Sequence, residues 1–310
     1  MGAMAPPAAW PRSRLHAGTA VDKTHPDGWE TPLWVVRGGA YDHPPMAAPT
    51  KAVNARRGPR ASWVAVLCAA FLLAFAAGAS AAPTPPAPNP PANIPVGPLP
   101  GACSSAPRGP VCVNAMLAAL DHARAQLGLG RYVVPSDFDA LTGAKQLLIL
   151  SNLDRLAYGL PPIVGLSPAL NAVAASGVST DADPDPSALL ASLPTFGWSS
   201  NWAGGYGNAL EAYYAWMYYD GWGGGQTSNL DCTSPTASGC WGHREDVLSF
   251  PDQGLLSMGA SVRRDSSGQI GYAMTLVWTP ETNWTSITYS WASAQAAGAG
   301  VDGERTAARR

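Results

Sequence analysis

Charge and histidine are scarce in this chain of 310 residues: Asp, Glu, Lys and Arg together make up 13%, and there are five His. Only two of these, His122 and His243, lie downstream of Ala82. The sequence has no G-x-G-x-x-G, no P-loop and no H-E-x-x-H, which removes the nucleotide and zinc-protease readings. No cysteine pair has C-x2-C spacing, so a structural zinc site is disfavoured. A basic stripe is also missing. From Ala82 onward 11 Lys and Arg stand against 17 Asp and Glu, a net charge of −6. That balance excludes nucleic acid as an expected partner and disfavours adhesion to an acidic membrane by charge.

Long apolar runs are absent except for one. Trp63 to Ala77 is an apolar stretch of about fifteen residues, preceded by Arg56, Arg57 and Arg60 and followed by Ala79-Ser80-Ala81. It is short for a full membrane span and ends at a small-x-small cleavage site. Started at Met46, residues 46–81 read as a secretory signal peptide. Residues 1–45 then read as a mis-assigned or disordered leader outside the fold. The expected location is secreted, extracellular or cell-wall associated, with membrane contact only through an uncleaved signal.

Cys68 leaves with that signal. Cys103, Cys112, Cys232 and Cys240 remain, an even count that suits an oxidising compartment. Four cysteines allow three pairings, and the local one, 103–112 with 232–240, costs least in loop closure.

Residues 82–101 are rich in proline and read as an extended spacer that cannot pack. Residues 102–130 form a Cys-bridged segment with an amphipathic helix from Val113 to Leu127. His122 lies on it and is expected at the surface. A second helix runs from about Thr142 to Tyr158 and stops at Gly159-Leu160-Pro161-Pro162. A third starts at Ser167 as N-cap with Pro168 in its first turn. Asp181 to Ser187 resembles a calcium loop in composition only, lacking its Gly and its Glu, and reads as a solvated loop. A fourth helix starts at Asn208, with Glu211 placed to complete a capping box. Leu256–Arg264 and Ile270–Thr279 read as a hairpin around Asp265-Ser266-Ser267-Gly268. Thr285–Trp291 reads as a further strand, and residues 293–310 as a disordered tail. Helices followed by a hairpin give an α+β class, a sheet covered by helices.

Three segments in order carry a family resemblance. They are Asn152-Leu153-Asp154-Arg155 through Gly159-Leu160-Pro161-Pro162; Ser200-Asn201-Trp202-Ala203-Gly204 with Trp216-Met217; and Gly242-His243-Arg244-Glu245-Asp246-Val247-Leu248 with Met258-Gly259-Ala260-Ser261-Val262. Over about Tyr132 to Thr279, within a domain placed at 131–292, the series resembles the CAP superfamily, the SCP/pathogenesis-related extracellular domain of bacterial secreted type. The resemblance implies an α-β-α sandwich with a central, mostly antiparallel sheet. It also implies a cleft that in the family often holds two His and two acidic residues able to bind divalent metal. Here His243 fills one slot. Ser200 stands where the family has Glu, Ser176 where it has the early His, and Tyr219, one step from Asp220, where it has the second acid. With one of four groups kept, no metal site and no cofactor are expected; a metal wants at least three protein ligands.

His243 has three readings. It could be a structural donor, a general base or a metal ligand short of partners. As a base it needs an orienting acid, from Asp220, Asp231, Glu245 or Asp246, and a nucleophile such as Ser199 or Ser200. His243, Glu245 and Asp246 are the candidate catalytic residues, although no G-x-S-x-G elbow supports Ser200. Arg244 is expected to pair with an acid elsewhere, and Arg155 to form a structural salt bridge. Aromatics crowd residues 198–241, and consecutive Tyr pairs on one helix are not expected all to face inward. Trp202, Trp216, Tyr219, Trp241 and Ser200 are therefore the candidate lining of a cleft for an apolar or glycan ligand. The expected function is a non-catalytic envelope or extracellular binding module whose partner is a cell-envelope component or a small apolar or glycan ligand. The alternative is a secreted hydrolase of peptide, ester or cell-wall substrate using His243 and a nearby acid.

Overall fold

The structure, a computed structural model, describes residues 15–18 (backbone only), 89–224, 229–251, 255–264 and 268–301. The expected signal peptide at 46–81 lies outside the described residues, as does the leader apart from 15–18.

Two helices begin where the capping chemistry put them, at Ser167 and Asn208. Helix α1 is Gly101–Ser105 and α2 is Pro110–Gln126, with Pro in its first turn. Helix α3, Gly143–Ala157, ends before Gly159, whose φ is +72°. Ser167 Oγ accepts from the Leu170 N–H at the start of α4, Pro168–Thr180. A short α5, Ser187–Leu190, follows. At α6, Ala209–Tyr218, Asn208 Oδ1 accepts from the N–H groups of Leu210 and Glu211. Glu211 reaches back one residue further than expected, to the Gly207 N–H at 2.9 Å. Helix α7 is Gly242–Val247 and α8 is Trp291–Ala296.

Strands β1 Leu15–Gly18, β3 Ile163–Leu166, β4 Gly197–Gly204, β5 Leu256–Arg264, β6 Ile270–Trp278 and β7 Tyr289–Ser290 form one sheet in the order β1-β4-β6-β5-β3-β7. Its pairings are antiparallel except β3 with β5. A separate pair joins β2, Tyr132–Val133, to β8, Gly300–Val301. The fold is mixed α+β with a mostly antiparallel sheet, as the element order implied.

Strand alternation sorts the two faces. Tyr272, Met274, Leu276, Met258 and Ala203 enter the main core with α2, α3 and α6. Their neighbours Ala273 and Trp202 pack on Ala174 and Val178 of α4, and Val277 on Leu170. Helix α4 approaches so closely that a Cβ at Gly259 would collide with the Leu170 carbonyl. Only glycine fits there.

Several expectations are corrected. Leu15–Gly18 of the excluded leader adds an edge strand to β4. The Pro-rich segment does pack: Pro90, Asn93 and Ile94 are buried. Its prolines fix φ and suppress regular structure, but they leave the Asn93 and Ile94 amides free to bond elsewhere. Residues 102–130 pack with the segment that follows, Met116 and Leu120 sharing one core with Leu147 and Tyr213. The strand expected over 285–291 shrinks to Tyr289–Ser290, because Ser290 Oγ accepts from the Ser293 N–H and caps α8 instead. The tail is ordered as far as the structure describes it, with Ala294 buried and β8 paired to β2.

Candidate functional site

The Gly-His-Arg segment forms the first turn of α7, entered through Trp241 in the left-handed region at φ 66°. A non-glycine residue there costs on the order of 1–2 kcal/mol. Two contacts hold it. The Trp241 N–H donates to the Asp220 carbonyl at 3.0 Å. Its ring lies on Gly221, where any side chain would strike the indole.

Asp220, just past the end of α6, is the hub. Its Oδ1 contacts His243 Nδ1 at 2.6 Å, and both side chains are fully buried. Its Oδ2 accepts from the His243 N–H at 2.9 Å and the Arg244 N–H at 3.4 Å, so one carboxylate serves the imidazole Nδ1 and the first amides of the helix. Asn229 Nδ2 donates to Asp220 Oδ1, to its carbonyl and to the Gly239 carbonyl. Asn201 of β4 donates to the His243 carbonyl at 2.9 Å. Burial raises the Asp220 pKa, and the imidazole and the backbone N–H groups oppose that rise without cancelling it. Cys232 lies against Cys240 at disulfide-bonding distance, with Cα atoms 4.4 Å apart, and closes a loop that carries Gly239 and starts just after Asn229. Cys103 and Cys112 are likewise within bonding distance. Both are the local pairs expected.

The candidate nucleophiles do not complete a catalytic set. Ser199 Oγ is engaged with Ser249 Oγ at 2.9 Å and the Asp246 carbonyl at 3.0 Å. Ser200 has the opposite parity on β4 from Asn201 and so points to the other side of the sheet from His243. Of the acids considered, Asp220 is bonded to the imidazole. Glu245 is exposed and accepts from Asn89 Nδ2 at 2.8 Å. Asp231 lies exposed just before Cys232. Asp246 is buried, and burial pushes its pKa well above the ordinary carboxylate range, with the carboxylates of Asp183, Asp220 and Glu245 adding to the rise.

The expected ligand lining is not gathered into one cleft. Ser200 and Trp202 face α4, whereas Trp216, Tyr219 and Trp241 lie on the α6–α7 side, and all five are buried. Helix α6 buries Tyr213, Tyr214, Trp216, Met217 and Tyr218 completely, against the expectation that a Tyr pair cannot be wholly internal. The reason is the Pro-rich segment. Tyr214 Oη donates to the Ile94 carbonyl at 3.0 Å and the Ile94 N–H donates to the Tyr218 carbonyl at 2.8 Å, so the outer side of α6 is covered as well.

A second buried hub escaped the sequence reading. Asp154 of α3, at zero exposure, pairs with Arg124 of α2 and accepts from the hydroxyls of Tyr132, Tyr213 and Tyr218. Burial, then the Asp154 charge, raises all three phenol pKa values well above normal. Burial lowers the Arg124 pKa, but Asp154 and the tyrosines outweigh it and the net shift is upward. No spacing rule connects these positions; an Asp and an Arg on helix faces are ordinarily surface residues.

The other two buried arginines differ from expectation. Arg155 bonds carbonyls, not an acid: Pro161, Val247 and Ser249, at 2.7 to 2.9 Å. Its pKa is lowered by burial to about 10. Arg244 donates to the Met217 carbonyl and to Tyr158 Oη, with its guanidinium over the Tyr158 ring at 5.2 Å. Both satisfy carbonyls at helix ends that would otherwise be orphaned.

Among the described residues, no group of three or more His, Cys, Asp or Glu is placed to hold a metal ion. No helix among them is long and apolar enough to cross a membrane. Compared with protein-family models, curated proteins and solved structures, the chain has no match.

Proposed function

We propose that the chain is a secreted CAP-like domain acting as a non-catalytic extracellular or cell-wall module for an apolar or glycan ligand. The ordered motif series supports the family assignment, together with a mostly antiparallel sheet covered by helices on both faces. Two cysteine pairs at bonding distance fit an oxidising compartment. The observation that carries the non-catalytic reading is the sealed Asp220–His243 contact, with Ser200 on the far side of the sheet. A general base needs a substrate proton within reach, and a fully buried imidazole offers none.

The test is a thermal-shift screen of the full chain against lipids, glycans and divalent metals. A saturable rise in Tm with one lipid or glycan class supports the module. No shift with any probe contradicts a lipid, glycan or metal ligand for the module. The hydrolase reading draws on one observation, the His–Asp contact at 2.6 Å that resembles the orienting half of a triad. It predicts turnover of a peptide, ester or cell-wall substrate that His243→Ala abolishes while the fold survives.

A further inference from the structure

The Pro-rich segment is held by contacts of the kind that recognise a peptide. The Asn93 N–H donates to the Trp222 carbonyl at 3.2 Å, and Asn93 Oδ1 accepts from the Gly221 N–H at 2.7 Å. The Ile94 N–H and carbonyl are both bonded to α6, at Tyr218 and Tyr214. Asn89 bonds Glu245 on α7. Asn93 and Ile94 are only 4% and 6% exposed, though four prolines stand between residues 88 and 96. The receiving surface is fitted to this chain. Gly224 has φ +67°, and a Cβ there would collide with the Asn93 carbonyl. Trp222 stays 41% exposed at the rim. Proline-fixed chains are favoured peptide ligands because little entropy is left to lose, and aromatic-lined grooves are their usual receptors.

We propose that the outer face of α6 with the Gly221–Gly224 loop is a receptor groove for an extended, proline-rich, apolar peptide carrying an Asn-Ile anchor, and that residues 89–96 are its intramolecular occupant. This rests on the binding-module reading and gives that reading a site and a ligand class. The tether makes the occupant hard to displace. A short linker supplies an effective concentration of about 1 mM, so a free peptide must match that to compete.

The probe is the synthetic peptide of residues 89–96, Asn-Pro-Pro-Ala-Asn-Ile-Pro-Val, with a control in which its Asn-Ile is Ala-Ala. The receptor is the full chain, unmodified or carrying N93A and I94A. Calorimetry is expected to show saturable binding of the peptide to the doubly substituted chain, about tenfold tighter than to the unmodified chain, whose groove is occupied. The control peptide is expected not to bind. A substituted chain that keeps its circular dichroism yet treats both peptides alike overturns the groove. If that chain does not fold, the unmodified chain decides. Its Ile94 amide should exchange hydrogen about fivefold faster with peptide near 1 mM, as the tethered segment is displaced. Unchanged exchange overturns the proposal. A Tm rise with a lipid or glycan but none with the peptide also overturns it, while leaving the binding-module reading in place.

Discussion

Two carboxylates, Asp154 and Asp220, are both at zero exposure and both hold several partners, yet they are built differently. Asp154 collects Arg124, Tyr132, Tyr213 and Tyr218, partners 22 to 64 residues away on α2, β2 and α6. Asp220 collects Asn229, His243 and Arg244, all within 24 residues, in a segment that contains the Cys232–Cys240 pair. The first hub ties distant elements into one core. The second shapes one loop and the entry to α7. A rare residue type, His, therefore marks the local clasp, while the global one is made of common residues.

The comparison breaks if the hubs prove equally costly to remove. Asp154→Ala leaves the Arg124 charge and three phenols buried without their acceptor. It should cost about 4 kcal/mol in urea unfolding, the range for breaking a buried ion pair. A smaller loss than that of His243→Ala would reverse the ranking. His243→Ala leaves Asp220 short of one partner and should cost about 2–3 kcal/mol. Its loss of hydrogen-exchange protection should centre on residues 220–249, whereas Asp154→Ala should expose the whole core.

Smaller effects sharpen the contrast. Replacing Cys232 and Cys240 together with Ser opens a short loop and should lower stability by about 2 kcal/mol, again with exchange confined to that loop. Tyr213→Phe removes one of the three hydroxyls on Asp154 and should cost about 1 kcal/mol by the same unfolding measurement.

Asp246 gives the pH signature of the local hub. Its folded pKa lies well above its unfolded value because of burial, so between the two values the folded chain holds a proton that the unfolded chain has lost. Stability should therefore fall as pH rises through that interval, by at most about 1.4 kcal/mol per pH unit for one proton. Asp246→Asn should reduce that slope in a series of denaturation curves, leaving the part contributed by the raised Asp220 carboxyl. An unchanged slope would place the proton elsewhere.

Local signals were readable and tertiary ones were not. Ser167 with Pro168, and Asn208 with Glu211, announce helix starts through short-range hydrogen bonds, and both caps are in place. The β5–β6 hairpin follows from alternation. The pairings 103–112 and 232–240 follow from loop length. What composition missed has a common physical source. Proline and small residues suggest an unpacked chain, but Asn93 and Ile94 dock on α6, and that docking is also why a helix with two Tyr pairs can be buried all round. Likewise, the parity of β4 separates Ser200 from His243 across the sheet, a fact that requires knowing which face α7 covers. Sequence reasoning picked out the imidazole. It named Asp220 among four acids but had no means to choose it, because the choice depends on where α6 ends relative to α7.

His243 is sealed in a clasp with Asp220. Chemical modification of the full chain with diethyl pyrocarbonate, read by peptide mapping, tests it directly. His122 is exposed on α2 and provides the internal reference. His243 should react at least about tenfold more slowly than His122 until denaturant opens the core. Modification of both histidines at similar rates in the folded protein would contradict it.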